Sequence, residues 1–265
     1  GSLAFTGNLN LYMGQLAAGG TLIAEDVFLP GKWEQVMARE RANGIYLIPS
    51  KLLMLPRVFK GVNANIRTII SGSQSLGRKD AEVLKKIFPN TEITLYYGAS
   101  ELNYITYVKS ADMTEERNLI GKPFPGVRVF IQDDEMYVDN AFHVENITVP
   151  YSLKDSGRMD LQGNFYFLGR TDDIVGVRGR KVSMMKIENA LEEVAGITEA
   201  AVVLLPKEKD ADMPAEIVSA FVTVEGTDVP ENLRQQLKEK LADFEIPKRV
   251  IVLEAFPKNT SGKVD

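Results

Sequence analysis

The apolar and polar positions in the first part of the chain follow two different periods. Apolar runs of strand length occur at 20–25, 45–50, 66–73 and 92–98. Apolar residues at helical spacing occur between them, at 31–44, 50–59 and 77–90. Short apolar strands that alternate with helices are typical of a parallel sheet with crossover helices. We therefore predict an α/β fold for this part of the chain.

The pattern changes twice further along the chain. Residues 119–168 contain short strands between Gly, Asp and Pro turns, which indicates a small β-rich, barrel-like section. From residue 174 onwards, the order helix, strand, strand, helix, strand predicts a compact α+β unit, with Ser183 as the N-cap of its first helix. We predict two domains: the remaining part of a large domain at 1–170 and a small C-terminal domain at 171–265.

Composition excludes several classes of site. The chain has no cysteine, so disulfide scaffolds, thiolate metal sites and cysteine nucleophiles are excluded. Its one histidine, His143, stands among apolar residues and is interpreted as a bystander. A net charge of −5 with both signs interspersed argues against a nucleic-acid binder. No apolar run approaches the ~18 residues that a membrane-crossing helix needs, and there is no signal-peptide pattern, so we expect a soluble, cytoplasmic protein.

Two short stretches at predicted strand ends contain the residue types of a nucleotide site. "SGSQSLG" (71–77) has small residues that let a flat ligand approach the backbone, although an ordinary strand-to-helix turn is an alternative. "LYYGASEL" (95–102) offers an aromatic face for a base, a hydroxyl for a phosphate and a carboxylate for Mg²⁺. The alternative there is a strand end with a capping serine. The apolar Leu102 and Ile105 would suit an aliphatic acyl chain, or they belong to the core.

Two later stretches add further polar groups. Asp155 has two acceptor oxygens that could hold two ribose hydroxyls, and Arg170 is a forked donor for ribose or phosphate oxygens. A solvated hairpin with charged turns is the alternative for this stretch. The closing "NTSGKVD" (259–265) places Lys263 on a glycine-hinged loop, which could deliver a cation to a developing negative charge. The alternative is a frayed tail.

In this order, the stretches resemble the adenylate-forming superfamily of acyl- and aryl-CoA synthetases, peptide-synthetase adenylation domains and luciferases. "YYGASE" is similar to the superfamily motif Y-G-x-T/S-E, and "GKPFPGVRVFI" (121–131) is similar to its G-x-P-x-P-G turn. "GRTDDIVGVRGRKVSMMKIE" resembles G-R-x-D-D-x-I-K-x-x-G-x-R/K-I, and "PKNTSGK" resembles P-x-T-x-x-G-K. The resemblance covers essentially the whole chain and implies the superfamily's fold and chemistry.

The resemblance implies a nucleotide site built from matched residues. The nucleotide-binding residues implied in this way are Gly72, Ser73, Gln74, Tyr97, Gly98, Asp155 and Arg170. Backbone at 72–74 would line the adenine, with Tyr97 against its face. Asp155 and Arg170 would hold the ribose.

The resemblance also implies catalytic roles. Glu101 would hold Mg²⁺, and Ser100 would contact the α-phosphate or the acyl carboxylate. Lys263 would stabilise the charge that develops during adenylation. Asp172 would be the hinge of a mobile small domain, and Gly179 would face the acyl site when the thiol arrives.

The function implied is ATP-dependent activation of a carboxylic acid, of the fatty-acid type, as an acyl-adenylate and its transfer to coenzyme A. ATP, Mg²⁺ and coenzyme A are the cofactors and co-substrates that this reaction needs. One alternative is an adenylation domain that loads a carrier protein, and another is a non-catalytic nucleotide-binding relative. The coenzyme A ligase and the carrier-loading domain differ only in the thiol that accepts the acyl group.

The sequence departs from the superfamily pattern in several places. The glycine- and threonine-rich phosphate loop, which precedes these motifs in relatives, is absent, so we expect the 265 residues alone to have little adenylating activity. Gly176 stands where a lysine is common, and Met184 and Lys186 replace Pro and Glu. Lys154 replaces the glycine before the ribose aspartate. We expect these changes to affect the fine geometry of the thiol step more than the fold.

Overall fold

The computed structural model describes residues 6–25, 28–177, 180–206, 216–226 and 228–257. The chain divides into two compact units. The first unit comprises Gly1–Leu153 and Gly157–Phe167, and the second comprises Lys154–Ser156 and Leu168–Asp265. The domain boundary that we placed between residues 170 and 171 stays a prediction.

Helices and strands alternate along the described residues. The helices are α1 (Thr6–Ala17), α2 (Pro30–Arg39), α3 (Pro49–Leu52), α4 (Leu55–Val58), α5 (Arg78–Ile87), α6 (Met184–Glu192) and α7 (Leu233–Lys238). The strands are β1 (Gly44–Tyr46), β2 (Thr68–Gly72), β3 (Glu92–Ala99), β4 (Asn103–Lys109), β5 (Leu119–Pro123), β6 (Arg128–Gln132), β7 (Glu135–Asp139), β8 (Tyr151–Met159), β9 (Phe165–Arg170), β10 (Ile174–Val177), β11 (Arg180–Ser183), β12 (Ile197–Pro206), β13 (Glu216–Val224) and β14 (Arg249–Val252). No helix among the described residues is both long enough and apolar enough to cross a membrane.

Strands of the predicted α/β and β-rich sections join one nine-stranded sheet, in the order β1-β2-β3-β4-β5-β9-β8-β7-β6. The first three strands are parallel, as predicted. The sheet becomes antiparallel from β3 to β4 and from β4 to β5. The α/β prediction is confirmed, and the β-rich section continues the same sheet.

Helix α5 shows why the crossover forms where the sequence predicts it. It lies between β2 and β3 in the chain and buries Ala81 and Leu84 in the core of the first unit. Its N-terminus is fixed because the Asp80 carboxylate accepts a hydrogen bond of 2.9 Å from the Gly77 backbone N–H. Satisfying an otherwise unpaired terminal group in this way stabilises the helix start.

Two predicted elements differ from the structure. Residues 20–25 form no strand and pair with no neighbour in the described part of the chain, and a strand needs a pairing partner in addition to apolar residues. The helix predicted over 50–59 is two short helices, α3 and α4. Pro56 lies in the first turn of α4, where its missing N–H costs little, so it favours a new helix start.

The second unit contains a three-stranded sheet, β12-β13-β14, and the antiparallel hairpin β10–β11. Strand β13 pairs antiparallel with β12 and parallel with β14. Helix α6 begins as predicted, because the Ser183 hydroxyl accepts a hydrogen bond of 3.3 Å from the Lys186 N–H. Ile187 and Leu191 on this helix are fully buried in the core of the unit.

Candidate active site

The first two predicted motifs leave the sheet side by side. Gly72 is the last residue of β2, and it is the register partner of Tyr96 on the parallel strand β3. The segments 72–74 and 97–101 therefore emerge at the carboxyl ends of neighbouring strands. This edge of a parallel sheet is where open α/β folds bind ligands.

Close backbone approach explains the two glycines in these motifs. A Cβ atom on Gly72 would lie 2.6 Å from Cζ of the buried Tyr96 ring, so no side chain fits. A Cβ atom on Gly98 would lie 2.4 Å from the backbone oxygen of Asn103 on the facing strand. A larger residue at either position would displace the neighbouring strand. Gly98 leaves its backbone exposed, whereas Gly72 is buried.

The side chains around Gly72 are anchored to neighbouring segments. The buried Ser71 hydroxyl donates a hydrogen bond of 2.8 Å to the Leu47 carbonyl. The Gln74 side-chain oxygen accepts one of 3.0 Å from the Ser50 N–H. Ser73 between them has φ of 69°, in the left-handed region. This anchoring fits the predicted role, in which backbone groups line the ligand.

Tyr97 lies half-buried at the end of β3. Its ring centroid is 6.0 Å from that of Phe167, and the ring packs against two apolar clusters of the first unit. The register of β3 against β4 shifts between Tyr97 and Gly98, so a β-bulge re-aims the strand at this point. The predicted contact between Tyr97 and an adenine stays a prediction.

Ser100 and Glu101 lie at the tip of a tight hairpin between β3 and β4. Ala99 and Asn103 are register partners, and Asn103 has φ of 62°. Both predicted catalytic side chains are exposed, whereas the next residue, Leu102, is fully buried and anchors the turn. The hairpin thus presents a hydroxyl and a carboxylate on consecutive residues.

Leu102 and Ile105 belong to the hydrophobic core. Both are fully buried and pack with Val138. Of the two interpretations that the sequence left open, the assignment to the core is therefore confirmed. Their apolar character is explained by packing alone.

The chemistry of Glu101 fits Mg²⁺. No group of three or more His, Asp or Glu side chains within the described ranges could hold a metal ion by itself. Mg²⁺ is commonly bound by one or two carboxylates together with substrate phosphates and water, so one exposed carboxylate at a phosphate site is sufficient.

The predicted ribose pair is brought together in the second unit. Asp155 on β8 is buried, and its Oδ1 lies 3.9 Å from Nη1 of Arg170 at the end of β9. The backbone beside the carboxylate is fixed, because the Thr171 hydroxyl donates a hydrogen bond of 3.1 Å to the Lys154 carbonyl. Lys154 has φ of 61°, in the left-handed region, at the position where the superfamily has glycine.

Other predicted residues are only partly described. Asp172 lies in a one-turn 3-10 helix, Thr171–Asp173, between β9 and β10, and its hinge role stays a prediction. Gly179 and Lys263 lie outside the described residues. The imidazole Nδ1 of His143 is 2.8 Å from the Val144 carbonyl oxygen.

One feature of the second unit was missed from the sequence. A cavity of about 410 Å³ is lined by Asp173, Val175, Met184, Met185, Glu188, Val202, Val203 and Leu204. Burial raises the pKa of Glu188, the nearby Asp173 carboxylate adds to the rise, and a hydrogen bond of 2.8 Å from the Val202 N–H opposes it. The sequence did contain one signal for this cavity: Glu188 is a carboxylate one turn after Met184, on a helix face that is otherwise apolar. None of the predicted site residues whose side chains the structure describes lines this cavity.

Family models match both parts of the chain. The model described as AMP-binding enzyme matches residues 2–141, and the model described as AMP-binding enzyme C-terminal domain matches residues 186–263. The two matches follow each other in the order that the motifs predict.

Individual relatives are similar at about one residue in four. The uncharacterized acyl-CoA ligase YhfT of Bacillus subtilis (strain 168) is 25% identical over 94% of this chain and 54% of its own length. A polypeptide of the linear gramicidin synthase of Brevibacillus parabrevis is 26% identical over 100% of this chain and 6% of its own length. The putative long chain fatty acid-CoA ligase VraA of Staphylococcus haemolyticus (strain JCSC1435) is 24% identical over 100% of this chain and 59% of its own length.

The fold is shared with solved structures. The amide bond synthetase McbA from Marinactinospora thermotolerans superposes with a TM-score of 0.84 and 25% identity, over 99% of this chain and 58% of that chain. The chain therefore spans little more than half the length of the ligases it matches.

Proposed function

Because a family model covers residues 2–141 of the 265-residue chain, the protein belongs to the adenylate-forming, AMP-binding enzyme family, and we propose that it acts in an acid–thiol ligase. The reaction proposed is the activation of a carboxylic acid as an acyl-adenylate, followed by transfer of the acyl group to coenzyme A. The observation that carries the proposal is the side-by-side emergence of the 72–74 and 97–101 segments from neighbouring strands in a chain matched by both family models.

In the adenylation step, the acid's carboxylate attacks the α-phosphorus of ATP, and pyrophosphate leaves. Backbone groups at 72–74 line the adenine, Tyr97 lies against its face, and Gly98 lets the strand end approach the nucleotide. The two Asp155 oxygens accept hydrogen bonds from the ribose hydroxyls, and Arg170 orients that carboxylate. This geometry fixes the nucleotide so that the acid meets the phosphorus in line.

Residues at the hairpin tip stabilise the negative charge on the phosphate oxygens. The Ser100 hydroxyl donates a hydrogen bond to an α-phosphate or carboxylate oxygen, and Glu101 holds Mg²⁺, which offsets phosphate charge when bound. Lys263 adds a positive charge at the same oxygens during adenylation.

In the second step, the thiol attacks the acyl carbon and AMP leaves. We propose that the small domain turns about Asp172 between the steps, which withdraws Lys263 and brings Gly179 towards the acyl site.

A fatty acid is the proposed substrate class, and the similarity to VraA is what supports it. Leu102 and Ile105 are core residues, so they give no support for an acyl-binding pocket. Comparing acids of increasing chain length by AMP release tests the substrate class. The predicted cytoplasmic location stays a prediction.

A carrier protein is the second candidate acceptor. The similarity to linear gramicidin synthase, over the whole of this chain, favours it. Supplying either free coenzyme A or a phosphopantetheinyl carrier protein to the full-length protein with acid and ATP separates the two acceptors. A non-catalytic relative would bind AMP, as measured by calorimetry, without forming acyl-adenylate.

Replacing Lys263 tests the proposed division between the two steps. We expect Lys263→Ala in the full-length protein to lower acyl-adenylate formation by roughly 10²-fold, the size of effect that losing a charge-stabilising group produces. Thioester formation from supplied acyl-adenylate should continue at the wild-type rate. Lys258→Ala, which removes another lysine of the same segment, is the matched control and should change neither step. Equal loss of both steps in Lys263→Ala would overturn the assignment.

A further inference from the structure

We propose that Asn140 is a positioning residue for Glu101, acting through a loop that clamps the β3–β4 hairpin tip. The proposal rests on the proposed function, because Glu101 holds Mg²⁺ only in that reaction. The loop consists of residues 140–145, directly after β7, and is named the strap. It belongs to the same unit as the hairpin.

The Asn140 side chain reaches into the base of the hairpin. It is buried, and its Nδ2 donates hydrogen bonds to the carbonyl oxygens of Leu102 at 2.6 Å and Tyr104 at 3.3 Å. Its Oδ1 accepts a hydrogen bond of 2.9 Å from the Phe142 N–H. Both amide donors and the amide oxygen are thus used, and the side chain joins hairpin and strap in a single orientation.

A second contact joins the strap to the predicted metal-binding residue itself. The Val144 N–H donates a hydrogen bond of 3.0 Å to the carbonyl oxygen of Glu101. The strap therefore binds the carbonyl groups of three hairpin residues, at 101, 102 and 104. The side chain of Glu101 remains exposed while its backbone is fixed.

The hairpin tip relies on bonds from outside the turn. Within the turn, the Leu102 N–H donates a hydrogen bond of 3.2 Å to the Ala99 carbonyl. Asn103 adopts a left-handed conformation, and its side-chain oxygen accepts a hydrogen bond of 2.6 Å from the Asn10 side chain. Each strap bond therefore adds to the stability of the hairpin tip. A carboxylate displaced by about 1 Å from its productive position can slow catalysis by about 10²-fold.

Asn140→Ala removes the clamp and leaves the Glu101 carboxylate in place. We expect faster amide hydrogen exchange, measured by mass spectrometry on the purified full-length protein, confined to residues 100–104 and the strap. In the acid-dependent AMP assay, the Mg²⁺ concentration for half-maximal rate should rise, and kcat should fall by roughly 10-fold to 100-fold. The KM for the acid should stay within about twofold, because uniform substrate binding is not removed.

Thr91→Val is the matched control. Thr91 is also buried, and its hydroxyl donates a hydrogen bond of 3.1 Å to the Ile66 carbonyl, away from the hairpin. The variant loses one buried side-chain-to-carbonyl bond, whereas Asn140→Ala loses two such bonds and one acceptor bond, so the stability of Thr91→Val should fall by less. Its Mg²⁺ dependence and its hydrogen exchange at 100–104 should match the wild type.

Val144→Pro provides an independent test if Asn140→Ala does not fold. Proline removes the N–H that binds the Glu101 carbonyl and leaves Asn140 intact. It should reproduce the local exchange and the shift in Mg²⁺ dependence. The positioning role is overturned if the wild type is active and these variants behave like Thr91→Val. A wild-type full-length protein without acid-dependent AMP formation would instead overturn the proposed function, so the two failures are distinguishable.

Discussion

At the scale of single residues, Lys154 shows backbone strain beside the predicted ribose aspartate. Its φ of 61° lies in the left-handed region, where a residue with a Cβ atom is less stable than glycine by about 1 kcal/mol. We expect Lys154→Gly to be more stable than Lys154→Ala by about 1 kcal/mol, because both variants lose the side-chain contacts and only glycine loses the Cβ. Urea unfolding of the two variants measures the difference.

Lys122 provides the control for that comparison. It is an exposed lysine on β5 whose φ is not positive. Glycine at this position should therefore be less stable than alanine, by about 0.5 to 1 kcal/mol. The same order of stability at both positions would contradict the strain at Lys154.

Glu188 gives a pH-dependent prediction at the same scale. Its raised pKa means that the folded state holds a proton more tightly than the unfolded chain, whose carboxyl titrates near 4.5. The contribution of Glu188 to the free energy of unfolding is then fully present below about pH 4.5, and it is lost as pH rises through the folded-state pKa. Glu188→Gln keeps an oxygen acceptor for the Val202 N–H and removes the charge beside Asp173.

We expect Glu188→Gln to unfold at the same temperature as the wild type near about pH 4 and at a higher temperature near about pH 7. Thermal unfolding at the two pH values measures this. A gain of equal size at both values would show that packing, and not ionisation, causes the difference.

At the scale of elements, the departure at Lys186 has a structural partner. Its Nζ lies 2.8 and 2.6 Å from the two oxygens of the buried Glu245 carboxylate, which also accepts a hydrogen bond of 2.9 Å from the Ala242 N–H. Lysine in place of the superfamily's glutamate therefore ties the first turn of α6 to the turn after α7. The change replaces one carboxylate with an ion pair and leaves the fold intact.

A double-mutant cycle on this pair tests that interpretation. We expect a coupling energy of about 1 kcal/mol between Lys186→Ala and Glu245→Ala, discounted because the Lys186 side chain is 49% exposed. The charge swap Lys186→Glu with Glu245→Lys should recover part of the stability that Lys186→Glu loses. The pair Lys240–Glu193, whose carboxylate is more exposed, is the control, with an expected coupling below about 0.5 kcal/mol. Equal coupling in both pairs would contradict the role of burial.

Elements with a clear period were predictable, and elements defined by distant partners were not. Helix α5 and strands β2 and β3 follow directly from apolar spacing, as does the Ser183 cap. Helix α1 was missed although Leu9, Met13 and Leu16 recur at helical spacing, and all three are exposed, so this face of the helix does not belong to a buried core.

The candidate site also contains parts that could be predicted from the sequence and parts that could not. The 72–74 and 97–101 segments were predicted because their residue types signal nucleotide chemistry at strand ends, and the structure places them on neighbouring strands. Their role in binding a nucleotide stays a prediction. The strap was not found, because Asn140 meets Leu102 only through the register of strands far apart in the sequence. A buried asparagine after a strand looks, from sequence, like an ordinary turn residue.

At the scale of the whole molecule, the proposed reaction draws on both units. The first unit contains the adenine-side segments and the hairpin tip, whereas the second contains the Asp155–Arg170 pair. In the proposed reaction, Lys263 takes part in the adenylation step, and Gly179 takes part in the thiol step. Each unit therefore holds only part of the residues proposed for the reaction.

Acid-dependent nucleotide release tests this central claim most directly. The full-length protein is incubated with ATP, Mg²⁺, a fatty acid and coenzyme A, and the products are quantified by chromatography and mass spectrometry. The account predicts AMP and acyl-CoA in equal amounts, no ADP, and a rate that falls by roughly 10²-fold in Glu101→Gln. Release of ADP, or AMP formation that does not depend on the acid, would contradict it.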